Sequence, residues 1–140
     1  MNVTMRPLSG ELDWGWINRA LPIMQVEDTS GLVAISDNKP VGALILDNWT
    51  ETSVQGHFYI KDPMVLRSDF LEYCCDYVFN VRDRKALYAL VPGNNEKALK
   101  LDVHMGFTEK CRFEGAFAEG VDYVIMELKR ENCKYLKEAA

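Results

Sequence analysis

No apolar run in this 140-residue chain approaches the roughly 20 residues that a membrane-crossing helix needs, so no membrane partner is expected. Residues 1–14, MNVTMRPLSGELDW, lack the apolar stretch of a secretory signal, and a cytoplasmic protein is the expectation. Basic runs are absent too. The longest, Arg82-Asp83-Arg84-Lys85, is interrupted by an acid, and the net charge is −5. Nucleic-acid binding needs a basic stripe, so DNA or RNA is not expected as a partner. The four cysteines include no CxxC pair, which argues against a metal site and for free thiols. Internal repeats and low-complexity linkers are missing as well. One domain over residues 1–130 is expected, followed by a charged tail at 131–140 that frays or adds a short helix.

What is present is an ordinary globular composition, 48% hydrophobic and 26% charged. A chain of this length can bury roughly two-thirds of its unfolded surface. Residues 3–8 read as a first strand. Ser9 reads as the N-cap of a helix, GELDWGWINRAL, with acids in its first turn. Leu21-Pro22 ends it, and PIMQVED reads as a short helix or turn. In residues 31–49 two apolar runs flank Asp37-Asn38-Lys39-Pro40, strong hairpin chemistry. After a second turn at 48–52, residues 53–60 continue the antiparallel meander.

Ser68 reads as the cap of the next helix, with Asp69 and Glu72 in its first turn. Phe70, Leu71, Cys74, Cys75, Val78 and Phe79 fall on one face of it. A strand at 86–91, a helix from Asn95, a strand at 107–113, a turn at 115–120 and a last strand at 121–130 complete the order. The strand-helix-strand unit from 53 to 91 demands a parallel pair with a right-handed crossover. The expected architecture is α/β (α+β), a mostly antiparallel sheet of about seven strands flanked by helices.

Within VPGNNEKALKLDVHMGF, residues 91–107, a strand passes to a helix through paired asparagines. The spacing of Asn95, Ala98, Leu99, Leu101, Gly106 and Phe107 resembles the N-x-x-A-(I/L)-x-L-Y-x-x-x-G-F element of the GNAT family of N-acetyltransferases. The hairpin phrase Asn38-Lys39-Pro40-Val41-Gly42 and the closing strand from Gly120 to Arg130 are similar to that family in style. The resemblance implies that the parallel strands at 54–60 and 86–91, the fourth and fifth of the sheet, splay into a V that holds acetyl-CoA. It implies that strand-four backbone at Tyr59, Ile60 and Lys61 binds pantetheine. Val65, Leu66, Arg67 and Ser68 would face the pyrophosphate. Asn95 would cap its helix, with or without a contact to pantetheine.

Two departures stand out. The family's Q/R-x-x-G-x-G/A phosphate loop corresponds here to Asp62-Pro63-Met64-Val65-Leu66-Arg67-Ser68-Asp69, which has no glycine. Bare backbone cannot approach phosphate there, and Asp69 puts an acid where the anion would sit. Asp102 stands where the family usually has the tyrosine that protonates the departing thiolate. A carboxyl can donate at neutral pH only if burial raises its pKa strongly, and the bland expectation is a solvated Asp102 at the helix edge. His57, on strand four, is either the base for the amine or a packed, hydrogen-bonded histidine. Trp14 and Trp16 fall in the helical region that borders the acceptor cleft in this family.

Two function classes follow. One is an acetyl-CoA-dependent N-acetyltransferase with an amine acceptor. The other is a non-catalytic GNAT-fold assembly factor with protein partners, similar to small GNAT-like proteins of tailed phages associated with head assembly. An acyl-CoA-binding regulator is a third reading, and a homodimer is the candidate assembly.

Overall fold

A computed structural model describes residues 1–136. Seven strands form one sheet in the order β1-β2-β3-β4-β5-β7-β6. The first four, β1 (Thr4–Pro7), β2 (Ser30–Ser36), β3 (Lys39–Asp47) and β4 (Ser53–Ile60), are an antiparallel meander. Asp37 and Asn38 take left-handed φ values of 51° and 62° at the β2–β3 turn, a conformation that short Asx side chains tolerate best. β5 (Ala86–Pro92) lies parallel to β4, as the sequence order requires. β7 (Val121–Lys129) pairs antiparallel with both β5 and β6 (Thr108–Ala118).

The β4–β5 ladder is short. Only Ser53–Gln55 pair with Ala86–Tyr88, although β4 runs on to Ile60 and β5 to Pro92. The two strands part at Gly56, whose missing Cβ leaves room for the Leu87 and Leu44 side chains; a Cβ there would meet them at 2.9 and 3.0 Å. The expected V is therefore present.

The sheet has two unequal faces. α2 (Phe70–Asp76), its π-helical continuation Tyr77–Val81, and α3 (Glu96–Met105) cover one face. Their apolar side chains, with Phe70 and Phe79 wholly buried, build the main core against Leu44, Leu46, Val54, Leu87, Val124 and Leu128. On the other face α1 (Gly10–Ala20) covers a smaller cluster, Ile17 with Val33, Ala43 and Ile45. Ser9 caps α1 by accepting from the Leu12 amide at 3.2 Å. Asp13, with 0% exposure, receives both Arg6 guanidinium nitrogens at 2.6 and 2.7 Å, the Ser9 amide at 2.8 Å and the Trp16 indole at 3.0 Å. This cluster ties β1 to α1.

Several expectations are corrected. Of the helix or turn expected at 22–28, the structure forms the turn, closed by the Thr29 amide on the Val26 carbonyl. Ser68 is not the α2 cap. A 3₁₀ turn, Pro63–Arg67, comes first, capped by Asp62 on the Met64 amide. Asp69 occupies the α2 cap position while the Ser68 hydroxyl reaches the Phe70 amide at 3.3 Å. β6 runs to Ala118, past the expected end at 113, because Gly115 with φ of 64° lets the strand deviate and resume. Of the expected tail, residues 137–140 lie outside the described residues. Arg130–Asn132 form a 3₁₀ turn, and Cys133, Tyr135 and Leu136 pack on the main core.

Candidate active site

The parting of β4 and β5 places the side chains of β4 on two sides of an opening. Strand alternation sends Phe58 and Ile60 to the α2–α3 core. It sends Tyr59 to the α1 side, where its ring lies 5.3 Å from that of Trp16. His57 shares that side, half-buried. Its Nε2 sits 3.3 and 3.2 Å from the two carboxylate oxygens of Asp47, at the end of β3. Asp47 is 9% exposed, so the pair is largely shielded from water. Sequence reasoning singled out His57 and missed Asp47. The signal was the antiparallel register, which sets Asp47 opposite Gln55 and Ile45 opposite His57 and so puts acid and imidazole on one face.

A second polar pair was also missed. Tyr88 on β5 donates its hydroxyl to Glu127 on β7 at 2.6 Å, and Glu127 is 8% exposed. Tyr88 is the β5 partner of Gln55, two residues before His57 on β4. The phenol is held above its ordinary pKa, mainly by this hydrogen bond to an acceptor that favours its protonated form.

Asp102 overturns the expectation of a solvated side chain. It is 3% exposed on the core-facing stripe of α3, with Ala98 one turn before it and Met105 one turn after. Its Oδ2 meets no hydrogen-bond partner among the described residues. Burial without a partner pushes the carboxyl up to about 7, because the charged form loses its hydration. His104 is exposed, as expected.

The expected cofactor residues divide into groups. Asn95 is exposed and caps α3 by accepting from the Ala98 amide at 3.2 Å. Gly106 ends that helix in a left-handed conformation, φ 116°. Along β4, residues 56–60 hydrogen-bond to β3 on one edge, while the edge toward β5 has no strand beside it. Such an edge accepts an extended amide chain in the manner of an added strand. At the 3₁₀ turn, Val65 is buried in the core and Leu66 packs against it, so neither side chain offers a contact to phosphate. Arg67 is exposed, and the Ser68 hydroxyl is engaged by the Val65 carbonyl and the Phe70 amide. Asp69 is exposed at the helix start. Trp14 lines an open cleft with Asn18, Leu21, Ile23 and Met24 at the end of α1. No group of acids, histidines and cysteines fit to hold a metal occurs among the described residues.

No protein-family model matches the chain, and no curated protein matches it. Solved structures do. A structure of mutant forms of the spermidine/spermine N-acetyltransferase SpeG from Vibrio cholerae superposes with a TM-score of 0.77 at 16% identity, covering 93% of this chain and 96% of that one. The same enzyme with manganese ions gives 0.76 at 16% identity over 92% and 93% of the two chains. A dodecameric spermidine N-acetyltransferase from Vibrio cholerae gives 0.74 at 19% identity over 99% and 98%. With its seven-stranded mixed sheet, parallel β4 and β5, and flanking helices, this chain has the GNAT fold.

Proposed function

We propose that the protein is an N-acetyltransferase that uses acetyl-CoA and an amine acceptor. The observation that carries this reading is the opening between β4 and β5, with the His57–Asp47 pair on the α1 side of it. Acetyl-CoA would bring the activated acetyl thioester. The free edge of β4 at Tyr59, Ile60 and Lys61 would hold its pantetheine arm, with Asn95 at the start of α3 beside it. Arg67 would meet the pyrophosphate in place of a glycine loop.

The chain's own residues would then handle protons. Asp47 orients the imidazole through Nε2, leaving Nδ1 to accept a proton from the attacking amine. Asp102 keeps a proton near neutral pH, the state required of a general acid. Spermidine and spermine, named for the Vibrio cholerae neighbours, are the first acceptors to screen. Such a protein would work in the cytoplasm, and a homodimer is the assembly to test.

Calorimetric titration with acetyl-CoA is the primary test, with binding expected and its absence at millimolar ligand overturning the reading. In the active protein, His57→Ala should lower turnover about 10²–10⁴-fold while leaving acetyl-CoA affinity nearly unchanged. Unchanged turnover removes His57 from the mechanism.

A non-catalytic assembly role is the second reading. It is favoured by the glycine-free start of α2 with Asp69 at its cap, and by β6, an edge strand whose eleven residues are all exposed. Long exposed edges are surfaces for pairing with other chains. Pull-down partners without acetyl-CoA binding would select this reading, phage head proteins among the candidates.

A further inference from the structure

Cys75 on α2 and Cys133, 58 residues later, bring their sulfur atoms to 3.1 Å. The two differ in setting. Cys75 is 1% exposed inside the main core, whereas Cys133 is partly open to solvent. The two thiols share a hydrogen bond, and this contact together with backbone donors at Tyr135 and Leu136 brings the Cys133 thiol down to about 7. Donors gathered around one sulfur favour its thiolate, the nucleophilic form. Neither of the other thiols shares this setting. Cys74 is buried with its pKa pushed up by desolvation, and Cys111 is exposed on β6.

The segment that carries Cys133 is a strap across two helices. Arg130 donates to the Phe79 carbonyl and to Asn80 after α2. The Lys134 amide donates to the Met105 carbonyl at 3.0 Å, at the end of α3. The Asn132 carbonyl lies against Gly106, where a Cβ would come within 2.0 Å of it.

We propose that Cys133 and Cys75 form a peroxide-responsive thiol site whose oxidised state is an intramolecular disulfide fastening this strap to α2. The Cys133 thiolate attacks one oxygen of hydrogen peroxide, the O–O bond breaks, and hydroxide leaves to take up a proton as water. The Cys133 sulfenic acid so formed is then attacked by the Cys75 sulfur. The S–O bond breaks, the S–S bond forms, and a second water leaves with the Cys75 proton. Two thiols lose two electrons and one peroxide is reduced to two waters. The sulfurs need to close from 3.1 Å to about 2.05 Å, a distance that side-chain rotation can supply. A dithiol reductant reverses the reaction.

The test uses the reduced full-length chain, treated with stoichiometric hydrogen peroxide and mapped without reduction by mass spectrometry. The expected product is lighter by about 2 Da, holds one peptide pair joined through Cys75 and Cys133, and returns to the starting mass with dithiothreitol. Fragment ions must place the bridge on Cys75, since Cys74 shares its peptide; a bridge from Cys74 overturns the proposal. So does oxidation of Cys111 while the pair stays reduced, or sulfinic acid at Cys133 beside an unmodified Cys75. Cys133→Ser should abolish the mass loss. Cys75→Ala should leave Cys133 as a sulfenic acid that dimedone traps. Should either variant fail to fold, the peptide map of the unaltered chain decides alone.

Discussion

Asp13 and Asp102 are both buried aspartates on helices, and they are opposites. Asp13 is met by four donors, from Arg6, Ser9 and Trp16. Burial works to raise its pKa, but those hydrogen bonds and the Arg6 charge together outweigh it, and the carboxyl sits below its ordinary range. Asp102 has burial without the donors and is raised to about 7. The same side chain thus serves as a structural anion in one place and as a carboxyl poised near neutrality in the other. Partners decide which, since burial is common to both.

The largest expected effect is on Asp102 in alkali. Its folded pKa lies above the unfolded value of 3.8, so the native state holds the proton longer. Stability therefore falls as pH rises from about 4 to about 7 and is level above that. The gap between 3.8 and about 7 corresponds to about 4 kcal/mol. Asp102→Asn should remove that slope and make the protein more stable than the parent at pH 8, read from urea melts at several pH values. Parallel pH profiles in parent and variant would mean that Asp102 titrates normally.

Asp13 should respond in the opposite sense. Its stabilising effect is present above pH 3.8 and is lost as pH falls through its lowered folded value. Asp13→Ala should cost about 3 kcal/mol at neutral pH, the low end for breaking a buried pair. The low end applies because Arg6 keeps a third of its side chain in water. An effect below 1 kcal/mol in chemical denaturation would make the cluster ornamental. Trp16→Phe removes one donor to Asp13 and should cost about 1.5 kcal/mol, raising the acid midpoint of unfolding as Asp13 becomes easier to protonate. The smallest effect belongs to the α1 cap. Ser9→Ala keeps the backbone donor to Asp13 and loses only the hydroxyl bond to Leu12, so about 1 kcal/mol is expected.

The contrast between the two acids also marks how far the sequence could be read. The antiparallel run β2–β3–β4 was legible because turn chemistry at Asp37-Asn38 and the lengths of the apolar runs agree with each other, whereas the place of β7 between β5 and β6 was not. The site was legible as positions more than as states. Asp102 lies at helical spacing from Ala98 and Met105, which puts it on the buried stripe, yet its chemistry argued for water and that argument lost. His57 could be named from its strand, but Asp47 and Glu127 depend on registers between strands, which no local pattern fixes. Ser68 looked like a cap because it precedes an amphipathic run. The 3₁₀ turn before it uses Asp62 and Pro63 in that role one turn earlier.

The brevity of the β4–β5 ladder has a consequence for how the chain assembles. β1 to β4 are successive hairpin neighbours apart from the α1 excursion, and β5 to β7 close on themselves within one later stretch. Each group can form from pairings close in sequence, which carry the smaller entropic cost. Only three residue pairs join the groups directly. Folding should therefore proceed as two hairpin stacks that dock, with the parallel joint as the last one closed. Pulse-labelled amide exchange would show this order as protection at Ala43 and Val124 ahead of protection at Ala86, whose amide donates across the joint to the Thr52 carbonyl; the reverse order would make the parallel joint the nucleus.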